Sequence, residues 1–534
     1  FKDVPTSAQF YREIVWLSKQ GITTGWPDGT FHPKNTIDRD AMAAFLYRYK
    51  GSPSFSASKS SPFKDMSTSS KFFKEVTWLR STKITTGYAN GTYRPRSGVS
   101  REATAAFLYR LSGSPTVKPT VPTSFTVKGA GYGHGVGMSQ YGAQAMALEG
   151  YSAGSILQKY YQGTSVSSVE ADKKIRVEVY GSGSDWRDSA TVVVRSIGDD
   201  KTDDGQWRLR FYNKGSSTPH TTWYGKNNEK LHITRSGNSV TVERDGGKKA
   251  TATKDVALHW EGTSNYQSGS SDDPYVDIYN GNGASEIRGT HGKYRHGKLL
   301  ISVPSTTSPR IIIANELKLN TEYLYGIAEM PSSWDTDALQ AQAIVARGYA
   351  LRQMNNYSAS CNCHIYDDTR DQNFTGWSKE NEGTNAYYGK RWVDAVNRTT
   401  SGSKGKVLTY GGSIAQTYYF SSSGGQTESS KDIWGGTFAY LTSVDDPWSE
   451  SSINPKRSWT QTLTQAKARS VFGLSDVVSI KVTGRTAGGS DAAATKVTAT
   501  SSTGKTSSIT GAERIRSNLA AGTSPWIWSF TAKY

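Results

Sequence analysis

The carboxylate with the clearest prospect of chemistry is Glu329. It lies in an apolar stretch, beside Tyr325, Ile327, Ala328 and Met330, immediately before a predicted helix. Burial among apolar neighbours raises the pKa of a carboxyl group because the charged form loses its hydration. An acid that stays protonated at higher pH suits general acid catalysis. The simpler alternative is that Glu329 only accepts a hydrogen bond from the backbone or from an arginine.

A second candidate is His134, which lies in a glycine-rich run. Gly133, Gly135 and Gly137 alternate around it and free the backbone, so the imidazole can be presented beside a ligand. A nucleotide-binding loop would have a similar glycine content. The run lacks both a Gly-Lys-Ser/Thr element and a ribose-binding acid at the expected spacing, and this excludes that interpretation.

A third candidate is the loop SSSGGQTE at residues 421–428, rich in hydroxyl groups and flexible backbone. Trp434, Tyr440 and Trp448 follow closely. Hydroxyls, amides and flat aromatic faces are the groups that bind a sugar chain. The alternative is an exposed serine-rich loop followed by aromatic residues of the core.

Predicted helices flank these candidates. Two are expected at about 138–149 and 153–162, after the glycine-rich run. Trp334 and Asp335 open a third, with Asp335 as its N-cap. Its buried face consists of Leu339, Ala343, Ala346 and Ala350.

Predicted strands make up much of the remainder. KVLTY (406–410) and SIAQTYYF (413–420) flank a Gly-Gly turn and predict a hairpin. Between about 165 and 312 the alternation of apolar and polar residues predicts a β-rich subdomain without chemistry of its own. Its strands are KIRVEVYG, SATVVVRS, QWRLRFYN, SVTVERD, KLLISV and PRIIIAN.

The N-terminal part is an internal duplication with a constant offset of 62 residues, starting at Phe1 and at Phe63. Each copy has the pattern of helix, turn and helix. Asp38 and Ser100 are natural N-caps for the second helix of each copy. A Pro/Thr/Ser-rich segment follows and predicts an extended linker.

Composition limits the class of protein. The 534 residues carry a net charge of +17 without a lysine/arginine run, which favours a polyanionic partner and gives no specific indication of nucleic acid. A stretch of about 18 apolar residues is absent, so we expect no membrane span. Cys361 and Cys363 are either a disulfide or a free pair. A zinc site would need two further ligands, so we expect neither a metal nor a cofactor.

The repeats resemble the S-layer homology (SLH) domain over about residues 1–114. The F-x-D-V start, the G-I-T-T-G turn and the R-x-A-x-A-A-F-L-Y-R helix carry this resemblance. Arg39 and Arg101 take the place of the arginine in the family's T-R-A-E motif, although the motif itself is altered. The family usually combines three such units to bind anionic secondary cell-wall polymers. The resemblance implies that Arg39 and Arg101 bind such a polymer; the alternative is that they cap helices. With two units, either a third was lost upstream or the grooves are incomplete.

The remainder resembles the SpoIID/LytB (stage II sporulation protein D) family. The motifs are G-H-G-V-G-M-S-Q-Y-G-A, N-E-L-x-L-x-x-Y-L-x-G…E-M-P-x-S-W and S-S-S-G-G-x-T-E. That family includes peptidoglycan lytic transglycosylases and amidase enhancers, and the Glu of E-M-P, here Glu329, is its catalytic acid. The G-H-G segment comes first here instead of late, which suggests circular permutation. Phe420 stands where many members of that family have a histidine, just before the serine-rich motif. Tyr366 and Asp371 replace the cysteines of metal-binding members, which argues against zinc.

The sequence therefore predicts an α+β fold, with small helical repeats followed by a mixed α/β domain containing a β-rich insertion. The expected boundaries are repeats at 1–54 and 63–116, a linker at 117–124 and the large domain at 125–534, with the β-rich part at about 170–300. Besides Glu329, the expected substrate-binding residues are His134, Gly135, Gln140, Tyr325, Ser421, Ser422, Ser423, Gly424 and Gly425.

The expected protein is secreted, located at the cell wall, and cleaves peptidoglycan glycan strands as a lytic transglycosylase. The alternatives are a non-catalytic glycan-binding regulator and a structural surface-layer component.

Overall fold

The computed structural model describes most of the chain as two compact units, Phe1–Pro119 and Thr120–Tyr534. For residues 101, 102, 105, 285 and 286 it describes the backbone alone. The described residues are 1–5, 8, 11–114, 119–181, 188–196, 205–266, 274–281, 285–286, 291–304, 310–487, 489 and 492–534.

The first unit consists of two helix-turn-helix repeats, as predicted. Their helices are α1 (Tyr11–Lys19), α2 (Arg39–Tyr49), α3 (Phe73–Ser81) and α4 (Arg101–Leu111). Equivalent hydrogen bonds recur at the offset of 62. The Asp3 carboxylate accepts from the backbone N–H groups of residues 31 and 32, and the Asp65 carboxylate accepts from those of residues 93 and 94. The duplication is therefore structural as well as sequential.

The predicted N-caps of the repeats differ in their bonding. Ser100 Oγ accepts from the N–H of Ala103 at the start of α4. Asp38 occupies the same place before α2 but makes no capping bond with its side chain. The Asp38 carboxylate instead lies 3.6 Å from the Arg96 guanidinium.

The second unit combines mixed sheets with helices, so the fold is α+β as predicted. Its helices are α5 (Gln140–Leu148), α6 (Ala153–Tyr160), α7 (Thr336–Gln353), α8 (Trp377–Glu380), α9 (Tyr387–Arg398), α10 (Ser430–Trp434), α11 (Gln465–Phe472) and α12 (Ala512–Leu519). Shorter helical turns span Leu319–Tyr323, Thr384–Ala386 and Pro447–Glu450.

The strands of the second unit are β1 (Ser124–Gly129), β2 (Met138–Ser139), β3 (Ser165–Glu170), β4 (Lys174–Tyr180), β5 (Ser189–Arg195), β6 (Trp207–Tyr212), β7 (Thr221–Gly225), β8 (Lys230–Ser236), β9 (Ser239–Arg244), β10 (Lys249–Ala252), β11 (Asp255–Trp260), β12 (Tyr275–Asn280), β13 (Ser285–Glu286), β14 (Lys293–Tyr294), β15 (Lys298–Ser302), β16 (Ile312–Lys318), β17 (Ile365–Tyr366), β18 (Thr400–Ser401), β19 (Lys404–Tyr410), β20 (Ser413–Ile414), β21 (Tyr419–Phe420), β22 (Trp459–Thr464), β23 (Ser479–Arg485), β24 (Ala494–Thr500), β25 (Thr506–Thr510) and β26 (Ile527–Lys533). The two largest sheets run β10-β9-β8-β5-β12-β13, with β14 paired to β12, and β17-β4-β16-β15-β11-β6-β7. The smaller ones are β22-β1-β26, β23-β24-β25, β18-β19-β20 with β3 on β19, and the pair β2-β21.

The six strands predicted between residues 165 and 312 are confirmed as β4, β5, β6, β9, β15 and β16. The Gly-Gly hairpin is also confirmed, since β19 and β20 pair across Gly411 and Gly412. The prediction of one continuous strand over 413–420 was wrong. The chain leaves the hairpin after Ile414, and Tyr419–Phe420 pairs in parallel with Met138–Ser139.

Helix α7 lies at the centre of the second unit. Asp335 caps it as predicted, accepting from the N–H of Asp337. Arg347 on α7 is fully buried and donates to the carbonyl of Lys406 and to the side chains of Asn320 and Thr399. This burial lowers the pKa of Arg347 to about 9. The guanidinium ties α7 to β19 and to the turn before β18.

Cys361 and Cys363 form a disulfide, which is one of the two states that the sequence left open. Both residues are buried. In the part of the chain that the structure describes, no helix is long and apolar enough to span a bilayer.

Candidate functional site

The backbone around Glu329 is fixed from two sides. On one side, the N–H of Ala328 donates to the carbonyl of Asn373 at 2.8 Å, and the Asn373 side-chain amide returns a bond to the carbonyl of Ala328. On the other side, Gln140 Nε2 donates to the carbonyl of Glu329 at 3.1 Å. The segment 372–376 and the start of α5 thus hold the acid in place.

The two oxygens of the Glu329 carboxylate differ in their partners. Oε1 accepts from the backbone N–H of Asn373 at 2.7 Å and from the Tyr419 hydroxyl at 3.1 Å. Within the described part of the chain, Oε2 has no hydrogen-bond partner, and the side chain is partly exposed. One oxygen is therefore anchored, and the other is available to a ligand.

A buried relay orients the Tyr419 hydroxyl. Gln372 Nε2 donates to the oxygen of Tyr419 at 2.8 Å, and Gln372 Oε1 accepts from the Tyr323 hydroxyl at 2.8 Å. A phenol has one proton to donate. Because its oxygen already accepts from Gln372, that proton is directed at Glu329.

The pKa of Glu329 is raised above its ordinary value, chiefly because burial penalises the charged form. The hydrogen bonds from Asn373 and Tyr419 act in the opposite direction, since they stabilise the carboxylate, but they do not outweigh burial. The folded protein therefore keeps Glu329 protonated to higher pH than a free glutamate, which is the state that a general acid needs.

Five other acids are candidates for a second catalytic group, and each is engaged elsewhere: Glu316, Glu322, Asp335, Asp337 and Glu428. None of the hydrogen bonds of the described residues joins them to Glu329. Their partners are Arg176 and Lys298 for Glu316, the N–H of Lys318 for Glu322, the N–H of Asp337 for Asp335, the N–H of Ala153 for Asp337, and Ala493 and Trp526 for Glu428.

His134 reaches the same strand but does not bond to Glu329. Its Nδ1 accepts from the N–H of Val136, and its ring packs against Phe420 and Trp434 with centroids 5.6 and 5.0 Å away. Burial lowers the pKa of His134 to about 4, so the imidazole is neutral at neutral pH. Since side chains alternate along an extended segment, the ring lies on the face opposite the Tyr419 phenol.

The serine loop is mostly internal. Ser422, Ser423 and Gly424 are buried in this structure, and their contact with a sugar stays a prediction. Ser423 Oγ donates to Asp446 at 2.7 Å, which explains why a polar side chain is buried there. Ser421 and Gly425 remain partly exposed.

The glycines pack against Trp526, which the sequence analysis did not single out. A Cβ on Gly135 would lie 2.8 Å from the Trp526 ring, and one on Gly424 would lie 2.7 Å from it. Gly135 also has a φ of +93°, a conformation that favours glycine. Because Gly135 and Gly424 have no side chain, the Trp526 indole can be buried between the glycine-rich run and the serine loop.

Glu428 lies beneath the same indole and accepts from Trp526 Nε1 and from the N–H of Ala493. Burial raises the pKa of Glu428 to about 7.

Between about pH 4.5 and 7 the folded state therefore holds a proton on Glu428 that the unfolded state releases, so stability falls as pH rises. In the wild type we expect the free energy of unfolding to fall by roughly 3 kcal/mol over this pH range, and in Glu428→Gln we expect this decrease to disappear. Urea unfolding at pH 5 and pH 8 measures the decrease. An equal decrease in both proteins would contradict the raised pKa of Glu428.

The other residues predicted to bind a substrate or a wall polymer differ in burial and in hydrogen-bond partners. Gln140 is buried and holds the Glu329 backbone, whereas the Tyr325 hydroxyl donates to Asn397 and makes no bond to Glu329. Arg39 is mostly buried, with Nε donating to the carbonyl of Tyr93. The side chain of Arg101 lies outside the described residues.

Four residues of the site were missed: Asn373, Gln372, Tyr419 and Tyr323. Asn373 acts through its backbone N–H, which has no signature in the sequence. The sequence signal near these residues is the polar run Asp371-Gln372-Asn373, which lies more than 40 positions after Glu329. From the sequence, this region was interpreted only through Tyr366 and Asp371, which replace the cysteines of metal-binding family members. Here Asp371 accepts from the Tyr349 hydroxyl and from the N–H of Tyr366.

Potential metal ligands in the described residues form one group, Glu178, Cys361 and Cys363, whose ligand atoms lie within 4.8 Å of one another. The two sulfur atoms are bonded to each other. A disulfide lacks the thiolates that zinc requires, so this group does not fit a metal in its present state.

Removal of the Tyr419 hydroxyl tests the electrostatics of the site. This hydrogen bond lowers the pKa of Glu329, so we expect Tyr419→Phe to raise that pKa. Activity that needs the protonated acid then extends to higher pH, and the alkaline limb of the pH–rate profile moves upward. Tyr418→Phe, which removes a neighbouring hydroxyl without a bond to Glu329, is the matched control. An unmoved limb in Tyr419→Phe would refute this role.

Two regions of the chain are similar to known protein families. The family described as Stage II sporulation protein (SpoIID) matches residues 307–410, and the S-layer homology domain matches residues 1–43 and 62–105. The chain is 33% identical over 178 residues to stage II sporulation protein D of Bacillus subtilis (strain 168), covering 31% of this chain and 50% of that protein. It is 32% identical over 137 residues to the amidase enhancer of the same organism, covering 26% of this chain and 16% of that protein. It is 29% identical over 126 residues to cell surface glycoprotein 1 of Acetivibrio thermocellus, covering 21% of this chain and 5% of that protein.

The chain thus carries a SpoIID-family domain and, at its N-terminal end, SLH repeats. Its homologues include SpoIID and the amidase enhancer, and it spans half or less of the length of these relatives. The repeats indicate a location at the cell surface, in the cell wall.

Proposed function

We propose that the protein cleaves peptidoglycan glycan strands as a lytic transglycosylase, with Glu329 as both acid and base. The observation that carries this proposal is the asymmetry of the Glu329 carboxylate. Oε1 is held by Asn373 and Tyr419, whereas Oε2 faces no described partner. Such an acid can exchange a proton with a ligand without changing its own position.

The proposed reaction breaks the β-1,4 bond between N-acetylmuramic acid and N-acetylglucosamine. Glu329 protonates the bridging oxygen, and the bond from that oxygen to C1 of the muramic residue breaks. The C6 hydroxyl of the same residue then bonds to C1, and its proton passes to the Glu329 carboxylate. The product is a 1,6-anhydro end, and the enzyme regains its starting protonation state.

A hydrolytic glycosidase usually needs a second carboxyl group, at about 5–9.5 Å from the first, to act as a nucleophile or to activate water. The five candidate acids Glu316, Glu322, Asp335, Asp337 and Glu428 all bond to groups other than Glu329. This favours the intramolecular route, in which the C6 hydroxyl takes the place of water.

Incubation of the full chain with purified glycan strands tests the proposal. Mass spectrometry should show new anhydro-ended fragments. Binding without fragments at high protein loading would instead favour a glycan-binding regulator, a role consistent with similarity to the amidase enhancer. Products with ordinary reducing ends would favour hydrolysis.

The SLH repeats are proposed to bind an anionic secondary cell-wall polymer and so to hold the catalytic unit near its substrate. The net charge of +17 supports a polyanionic partner. Removal of residues 1–114 should release the protein from isolated walls while leaving cleavage of soluble glycan intact. Unchanged retention would point to binding through the C-terminal unit.

A further inference from the structure

A buried ammonium group lies beside the chain that follows Glu329. Lys379, on α8, is 4% exposed, and its Nζ donates to the carbonyl of Met330 and to Glu382 Oε2, each at 2.7 Å. Burial lowers the pKa of Lys379, because the charged form loses its hydration. Lysine is almost never fully buried unless its charge is paired. A buried lysine one residue from the proposed acid therefore calls for a reason beyond packing.

The segment 330–334, which joins the acid to α7, is bonded to α8 and α9 at every second carbonyl. Lys379 donates to the carbonyl of residue 330, and Arg391 on α9 donates to those of residues 332 and 334 at 3.2 and 2.8 Å. The carbonyl of Glu329, by contrast, accepts from Gln140 on α5. The chain next to the acid is thus held between α5 and the pair α8–α9, and Lys379 makes the contact nearest to the acid on the α8–α9 side.

We infer that Lys379 is a positioning residue for Glu329, and that Arg391 supports the same segment farther from the acid. This inference rests on the proposed function, in which Glu329 exchanges protons with the glycan. The anchored carbonyl of Met330 lies one residue after the acid, so loss of its donor lets the backbone at the acid shift. A misplacement of about 1 Å at a catalytic group can cost about 10²-fold in rate.

The contact acts through geometry rather than through charge. The main influences on the pKa of Glu329 are burial and the hydrogen bonds from Asn373 and Tyr419, and the Lys379 ammonium is not among them. Removal of the lysine should therefore lower the maximal rate without moving the pH–rate profile. Tyr419→Phe has a different signature, because it moves the alkaline limb of that profile.

Steady-state cleavage of purified glycan strands by the full chain tests this role. Lys379→Met removes both the bond to the Met330 carbonyl and the ion pair with Glu382. We expect its kcat to fall by about 10²-fold, with KM and the alkaline limb as in the wild type. Glu382→Gln removes the same ion pair but leaves Lys379 bonded to Met330, so its kcat should stay within a few-fold of the wild type. Lys390→Met, at an exposed lysine on α9, is the control.

We expect Lys379→Met to fold, because methionine fills the volume of the lysine stem and the Glu382 side chain, 34% exposed, keeps its hydration. Urea unfolding checks this. Arg391→Met changes a partly exposed residue and should lower kcat by less than Lys379→Met does. If Lys379→Met does not fold, an unchanged kcat in Arg391→Met would overturn the inference.

The outcomes separate this role from the proposed function. A wild type that releases no anhydro-ended fragments would refute the proposed function, and the positioning role with it. With an active wild type, an unchanged kcat in Lys379→Met would overturn the positioning role alone. So would a moved alkaline limb in that variant, or an equal loss of kcat in Glu382→Gln, since the ion pair and not the Met330 contact would then account for the effect.

Discussion

Glu329→Gln should abolish the release of anhydro-ended fragments while leaving glycan binding and folding intact. Glutamine has nearly the same shape as glutamate, and its oxygen can still accept from the N–H of Asn373 and the hydroxyl of Tyr419. It cannot donate an acidic proton at the position of Oε2. Loss of a positioned general acid costs roughly 10²- to 10⁴-fold in rate, and Glu329 serves in both proton transfers, so we expect the upper end of that range.

Initial rates of fragment release, together with binding of the same strands by sedimentation, measure this effect. Glu170→Gln is a suitable control because Glu170 is an exposed acid on β3 that bonds to Ser403 and not to Glu329. Residual activity within a few-fold of the wild type would mean that another group supplies the proton.

Asp446→Ala should cause the largest loss of stability in the C-terminal unit. Asp446 is fully buried and accepts from three hydroxyls, those of Tyr160, Ser423 and Ser449, at 2.6–2.8 Å. Removal of the carboxylate leaves the buried hydroxyls of Tyr160 and Ser423 without this acceptor, at roughly 1–3 kcal/mol each, and leaves the Ser449 hydroxyl with Ser139 Oγ, 2.6 Å away, as its remaining side-chain partner. We expect a loss of about 3–5 kcal/mol in the free energy of unfolding, measured by urea denaturation.

Two further variants identify the cause. Asp445→Ala changes the exposed neighbour and should have little effect on stability. Ser423→Ala should lose about 1 kcal/mol and leave the KM for glycan unchanged, because Ser423 is buried against Asp446. A raised KM without a loss of stability would mean that Ser423 contacts the substrate, as the sequence analysis expected.

Local patterns predicted several elements well. Asp335 and the alanine-rich face correctly predicted where α7 begins and which of its faces is buried. The alternation of apolar and polar residues correctly predicted the strands β4, β5 and β6. Both signals depend on residues close together in the chain. The proposal of Glu329 as the catalytic acid likewise started from its immediate apolar neighbours, and it stays a prediction.

Contacts between distant residues were not predictable in this way. The N–H that holds Glu329 belongs to Asn373, 44 positions later, and any non-proline residue offers the same group. Tyr419 reaches the acid because its strand pairs with Met138–Ser139 rather than extending the hairpin. Ser423 was predicted to bind the substrate because hydroxyl groups bind sugars, whereas in the structure it is buried and donates to Asp446, 23 positions later.

A single isotope experiment distinguishes the proposed ring closure by the C6 hydroxyl from attack by water. Glycan strands are digested by the wild-type chain in water enriched in ¹⁸O, and the new ends are analysed by mass spectrometry. If the C6 hydroxyl closes the ring, the new ends are anhydro and contain no ¹⁸O. Reducing ends labelled with ¹⁸O would show that water attacks C1, and would contradict catalysis by a lone acid at position 329.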